Sequence, residues 1–211
     1  MTPETPQRAY SASDLTWVKD HRESTDAEQL AFGRVRVRLL LQMRRPLPLT
    51  APELAATKRV HLRSFQSGTD DSGLLRVNNR SFHWHPDQSG WDLPRLHRQT
   101  HEAGFDPAML LIHEDAEEQI DGFCWTKIHP STPEDPDLGE IYIIAADPTA
   151  HGTGLGRALT VGGLKLLSAH GLDVAMLFVE QENQAAIALY ERLGFSVDHM
   201  ESAYQPASSF R

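Results

Sequence analysis

The stretch Asp147-Pro148-Thr149-Ala150-His151-Gly152-Thr153-Gly154-Leu155-Gly156-Arg157-Ala158 decides how this 211-residue chain is read. It lies between residues 140–146, which read as a strand, and residues 155–170, which read as a helix. Glycine permits left-handed backbone angles and close approach of another body. A helix start presents free N–H groups and the positive end of a dipole. Strand, glycine turn and helix together make a seat for a phosphate or pyrophosphate. A P-loop is excluded, because Arg157-Ala158 follow Gly156 where Lys and Ser or Thr are required. A G-x-G-x-x-G dinucleotide fingerprint also fails, since its last position falls on Arg157 or Leu159. The loop by itself leaves two readings open: a pyrophosphate cradle, or a glycine-rich helix start without a ligand.

Working outward, residues 173–180 (DVAMLFVE) read as a buried strand. Asn183 is a good N-cap for the next helix, whose apolar stripe is Ala186, Ile187, Tyr190 and Leu193 and whose stop is Gly194. Upstream, residues 27–32 read as a helix ended by Gly33, and residues 34–43 as a strand. Pro46, Pro48 and Pro52 mark a linker. Residues 59–65 are expected to form a strand, followed by helices capped at Asp70 or Asp71 and over residues 93–103. Strands at 108–114 and 120–128 form a hairpin, and residues 139–146 form the next strand. The alternation predicts an α/β fold with a mixed sheet.

Two motifs in order, His151-x-x-Gly154-x-Gly156 and N-x-x-A-x-x-x-Y-x-x-x-G-F over residues 183–195, resemble those of the GNAT-type N-acetyltransferases. The first departs from the family's Q/R-x-x-G-x-G/A at His151. Further segments are similar to the mycothiol synthase family: Val77-Asn78-Asn79-Arg80-Ser81-Phe82, His85-Pro86-Asp87-Gln88-Ser89-Gly90-Trp91, Phe123-Cys124-Trp125-Thr126-Lys127 and Gly139-Glu140-Ile141-Tyr142. The similarity runs over residues 59–205 and implies the GNAT-type acyltransferase fold, a mixed central sheet flanked by helices. It also implies a division into a disordered tail at 1–13, a remnant of a first acetyltransferase domain at 14–49, and the acetyltransferase domain at 50–211.

The resemblance implies acetyl transfer from acetyl-CoA to a primary amine, the cysteinyl amine of a cysteinyl-glucosaminyl-inositol in the last step of mycothiol synthesis. Glu140 would be the general base and Tyr190 the general acid. Ile144, Ala145 and Ala146 would bind the cofactor by backbone groups. His151, Gly152, Thr153, Gly154, Leu155, Gly156 and Arg157 would hold its pyrophosphate, with Asn183 contributing. Asp87, Lys127, Glu140, Tyr190 and Tyr204 would meet the substrate, and Tyr142 would line the same pocket. The alternatives are an N-acetyltransferase for another small amine, and a non-catalytic remnant that binds coenzyme A.

Composition narrows the classes. A net charge of −9 argues against nucleic acid or an anionic membrane as partner. One cysteine, Cys124, allows no intrachain disulfide and fits a reducing cytoplasm; within an aromatic strand it reads as a core residue. No run approaches the roughly 20 apolar residues of a membrane span. His97 and His101 lie four apart, but Arg98 stands where a zinc-binding H-E-x-x-H needs Glu, so no metal is expected. A cytoplasmic protein, acting as a monomer on acetyl-CoA and a small amine, is the expectation.

Overall fold

The computed structural model describes residues 15–85 and 87–210. The expected tail at 1–13 lies outside the described residues. In chain order the elements are β1 (Thr16–Val18), α1 (Thr25–Ala31), β2 (Arg34–Pro46), α2 (Ala51–Ala55), β3 (Arg63–Ser64), α3 (Asp71–Ser81), α4 (Leu93–Thr100), β4 (Leu110–Glu114), β5 (Ile120–His129), β6 (Leu138–Ala146), α5 (Leu155–Ala169), β7 (Val174–Glu180), α6 (Gln184–Glu191) and β8 (Ser196–Pro206). Two compact units result. One comprises the described residues up to Arg44 with the described residues from Phe178 onward; the other is Arg45–Leu177.

In the Arg45–Leu177 unit the strands run β7-β6-β5-β4-β3. All neighbours are antiparallel except β6 and β7, which are parallel, so the sheet is mixed. Both faces are covered, which is why β5 is apolar with little alternation. One face carries Leu110, Ile112, Phe123, Trp125, Ile143 and Ala145, in a single core with Leu74 and Val77 of α3 and Leu96 of α4. The other packs on α5. Gly163 permits that approach: a Cβ there would lie 2.7 Å from Cys124 Sγ and 2.7 Å from Ile141 Cδ1. Cys124 is fully buried in this layer, and burial pushes its thiol up to about 12, as expected of a core residue.

In the other unit β8 is hydrogen-bonded between β1 and β2, antiparallel to both. Gly33, at φ +70°, ends the α1 segment. Arg38 pairs with Glu180 at 2.5 Å, with both side chains largely buried.

Four expectations are corrected. The strand expected at 59–65 is only Arg63–Ser64, because its one ladder, with β4, spans two residues. Inside the proline-marked linker lies α2, whose start is a capping box: Glu53 accepts from the Thr50 N–H at 2.6 Å, and Pro52 stands in the first turn. The strand expected from 108 begins at Leu110, because Asp106 accepts from the Ala108 N–H at 2.8 Å and caps a short 3₁₀ turn. The helix expected to reach 103 stops at Thr100. Among the described residues no helix is long and apolar enough to cross a membrane.

Candidate active site

The parallel ladder of β6 with β7 joins Leu138, Gly139 and Glu140 to Val174, Ala175 and Met176, and ends there. β6 continues to Ala146 paired with β5. Its other edge over residues 141–146 has no ladder partner among the described residues, so main-chain N–H and C=O groups are left for another partner. Ile144, Ala145 and Ala146 lie on this stretch. The Ala146 carbonyl also accepts from Ser81 Oγ at 3.0 Å and lies 3.2 Å from His151 Nε2.

The turn that follows is built by Asp147. Its carboxylate accepts from the Thr149 N–H at 3.0 Å and the Thr149 hydroxyl at 2.7 Å, and pairs with Arg80 at 3.2 Å. Burial alone would push this carboxyl up. The Thr149 bonds and the charges of Arg80 and Arg76 outweigh it and hold the group below the ordinary carboxylate range. Gly152 and Gly154 take φ of +77° and +86°, and Gly154 is the N-cap of α5. A Cβ at either would meet nothing within 4 Å, so the left-handed backbone, and not crowding, is what requires glycine there. Gly154 has no side chain to cap the helix, so the first N–H groups of α5, on Leu155, Gly156 and Arg157, are its orphan donors. The Thr153 hydroxyl donates to the Ala150 carbonyl at 2.7 Å. The Arg157 side chain is turned to α2, donating to Thr57 Oγ1 at 3.1 Å and to the Glu53 carbonyl at 3.4 Å.

Glu140 is the last residue of the parallel ladder, and its side chain is only 10% exposed. Directly opposite it on β5 is Lys127. The Lys127 ammonium does not pair with that carboxylate. Its Nζ lies 3.4 Å from the centroid of the Tyr142 ring, a cation–π contact. A register shift produces this: Trp125 faces Ile143 while Thr126 faces Ile141, so Tyr142 is the extra residue of a bulge. Glu140 pairs instead with His129, whose Nε2 lies 2.8 Å from Glu140 Oε2. His129, Lys127 and Trp125 line a cavity of about 380 Å³ with Phe105, Glu102 and Asp106.

The loop carrying Asp87 is hung from α3. Asn79 accepts from the Trp91 N–H at 2.9 Å and donates to the Trp91 carbonyl at 2.8 Å, while Asn78 donates to the Gln88 carbonyl at 2.8 Å. The Asp87 carbonyl accepts from Arg95 at 2.6 Å. His97, one of the two histidines considered for a metal, has its Nε2 2.9 Å from Asp71 Oδ2.

The other unit holds the remaining candidates. Asn183 caps α6, accepting from the Ala186 N–H at 3.2 Å. Tyr190 on α6 is buried and stacks edge-on against Phe195, with centroids 5.8 Å apart. Tyr204 is fully buried and its hydroxyl donates to Asp26 at 2.7 Å; burial, helped by Asp26, pushes that hydroxyl above the usual phenol range.

Glu140, Lys127 and the 144–157 segment thus belong to one unit, and Asn183, Tyr190 and Tyr204 to the other. Sequence reading missed His129. The signal available was its position two residues after Lys127, hence on the same face of one strand.

Known proteins carry the same pattern. The acetyltransferase (GNAT) family model matches residues 76–195. The mycothiol acetyltransferase of Rhodococcus erythropolis is 44% identical over 82% of this chain and 59% of its own length. That of Segniliparus rotundus is 42% identical over 88% of this chain and 71% of its own. That of Thermobispora bispora is 46% identical over 83% and 60%. The chain therefore spans about three fifths of the first and third of these relatives. A GCN5-related N-acetyltransferase from Sphaerobacter thermophilus shares the fold, with a TM-score of 0.67 at 24% identity, over 90% of this chain and 58% of that one. From the match over residues 76–195 and the identity to these relatives, the chain belongs to the acetyltransferase (GNAT) family and, within it, to the mycothiol acetyltransferase group.

Proposed function

We propose that this chain is an acetyl-CoA-dependent N-acetyltransferase whose acceptor is the cysteinyl amine of a cysteinyl-glucosaminyl-inositol. The observation that carries the reading is the conjunction on β6: the strand loses its parallel partner just past Glu140, and then runs into a glycine turn whose helix start has uncapped donors. The orphan N–H groups of Leu155, Gly156 and Arg157, with the backbone of residues 151–154, suit a pyrophosphate. Open space at Gly152 and Gly154 lets it approach. The unladdered edge at Ile144, Ala145 and Ala146 suits the amide groups of an extended pantetheine arm. Arg157 serves by its N–H; its guanidinium braces α2. The relatives are named mycothiol acetyltransferases, which supports an acceptor that belongs to mycothiol synthesis.

Glu140 takes a proton from the substrate ammonium, and the freed nitrogen attacks the thioester carbonyl carbon. The attached nitrogen loses its second proton to solvent as the carbon–sulfur bond breaks, Tyr190 protonates the departing thiolate and is reprotonated by solvent, and Glu140 releases its proton to solvent. The products are an amide and free coenzyme A. Lys127, above Tyr142, and Asp87 offer charges of both signs to a polyol amine. Asn183 orders the start of α6. Tyr204, fully buried with its hydroxyl bonded to Asp26, takes a supporting part in its own unit.

Purified protein supplied with acetyl-CoA and the cysteinyl-glucosaminyl-inositol is expected to yield the N-acetylated product by mass spectrometry, with release of coenzyme A. Protein that binds acetyl-CoA in calorimetry but leaves this acceptor untouched would reject the acceptor assignment. A second reading is a different small amine as acceptor, which a panel of acceptors would reveal. Calorimetric binding with no acetylation of any acceptor would favour a coenzyme A-binding module.

A further inference from the structure

We infer that His129 is the positioning residue for the proposed base, Glu140; the inference rests on that reading of Glu140. Across the antiparallel pair β5 and β6, His129 stands opposite Leu138 and Lys127 opposite Glu140, so His129 reaches Glu140 diagonally. Its Nε2 lies 2.8 Å from Glu140 Oε2, and among the described residues no other hydrogen-bond partner of that carboxylate is found. The nearest cation by register, Lys127, is held 3.4 Å over the Tyr142 ring instead. This choice of partner has a chemical consequence. A fixed ammonium on the carboxylate would stabilise its charged form at all working pH values and oppose uptake of a proton. The imidazole fixes one oxygen, Oε2, by an N–H bond and leaves Oε1 for the substrate ammonium.

A carboxylate only accepts hydrogen bonds, so the neutral ring must carry its proton on Nε2. Nδ1 is then the free acceptor on a side chain that is 44% exposed and lines the cavity beside β5. Without the imidazole, a side chain as enclosed as that of Glu140 would have to turn outward to find a donor, because a buried carboxylate lacking one is costly. Misplacing a reacting group by about 1 Å costs on the order of a hundredfold in rate.

The test has two arms. In the full chain, His129→Leu is expected to lower kcat roughly ten- to hundredfold with KM for acetyl-CoA unchanged, and His129→Gln, which keeps a donor at similar reach, to recover most of it. In a Glu140→Gln background His129→Leu should cost nothing further, since its effect passes through the carboxylate. Undiminished kcat in His129→Leu, or losses that simply multiply in the double variant, overturns the inference while leaving the base assignment standing. Full activity of Glu140→Gln alone overturns both. The second arm needs no turnover: ring-nitrogen NMR of the folded protein should find the neutral His129 protonated on Nε2, and a proton on Nδ1 overturns the inference.

Discussion

Lys127 and Glu140 face each other across two strands, yet each takes a different partner: the lysine an aromatic ring, the glutamate an imidazole. The motif resemblance singles out both residues, because each sits in a segment with a recognisable pattern. Their partners could not be read the same way. They depend on a bulge at Tyr142 and on the diagonal reach of His129, neither of which leaves a local mark in the chain. At this scale Glu140→Gln should lower kcat by roughly 10²- to 10⁴-fold near neutral pH, the range for loss of a general base. Its acetyl-CoA affinity, measured by calorimetry, should match wild type. Tyr190→Phe should slow the chemical step in single-turnover assays without weakening acetyl-CoA binding. Full single-turnover rates in both variants would refute the assignment of roles. Cys124 should resist iodoacetamide in the native protein and react once urea unfolds it, because the reactive thiolate is scarce for a buried thiol pushed up to about 12. Rapid native labelling would contradict its place in the core.

The element that organises the acetyl-donor side of the site is α5. Mid-helix Gly162 and Gly163 weaken an isolated helix, so helix propensity alone argues against the continuous Leu155–Ala169 helix. Packing accounts for Gly163: the helix lies so close to β5 and β6 that a Cβ would sit 2.7 Å from both Cys124 Sγ and Ile141 Cδ1. Gly163→Ala should therefore destabilise the protein by about 1–3 kcal/mol through overpacking, seen as a lower thermal midpoint; an unchanged midpoint would mean the layer is looser than described. Gly154→Ala tests the loop in a different way. Its site has room for a methyl, but φ +86° strains any L residue there. The expected cost is about 1–2 kcal/mol of backbone strain, together with weaker acetyl-CoA binding as the turn relaxes. The loop and both its flanking elements were legible because glycine spacing and apolar periodicity act over a few residues. The α2 helix was hidden for the opposite reason: three prolines read as a linker, although Thr50 and Glu53 spell a capping box.

For the molecule as a whole, acid is the informative stress. The Arg45–Leu177 unit holds several carboxylates below their ordinary range: Glu53, brought to about 2 chiefly by its bond from Arg45, Glu114 by Arg63, and Asp147 in the loop. A carboxyl lower in the folded than in the unfolded chain contributes stability that is complete above its unfolded value and disappears as pH falls through the folded one. For Glu53 the window runs from about 4.5 down to about 2. Glu53→Gln should lose about 1–2 kcal/mol at pH 7, after allowing for solvent screening of the pair, and its urea midpoint should converge on that of wild type as the pH approaches the bottom of the window. Parallel curves would remove Glu53 from the acid response. The family, the mixed sheet and the glycine turn followed from the sequence by itself, because caps, glycine angles and strand or helix periodicity are settled between close neighbours along the chain. Which charge meets which partner was decided only by the tertiary structure: Glu140 with His129, Lys127 with Tyr142, the Arg157 side chain with α2. Those pairings depend on strand register, a one-residue bulge and layer packing, which bring together groups up to about a hundred residues apart and so leave no periodic trace.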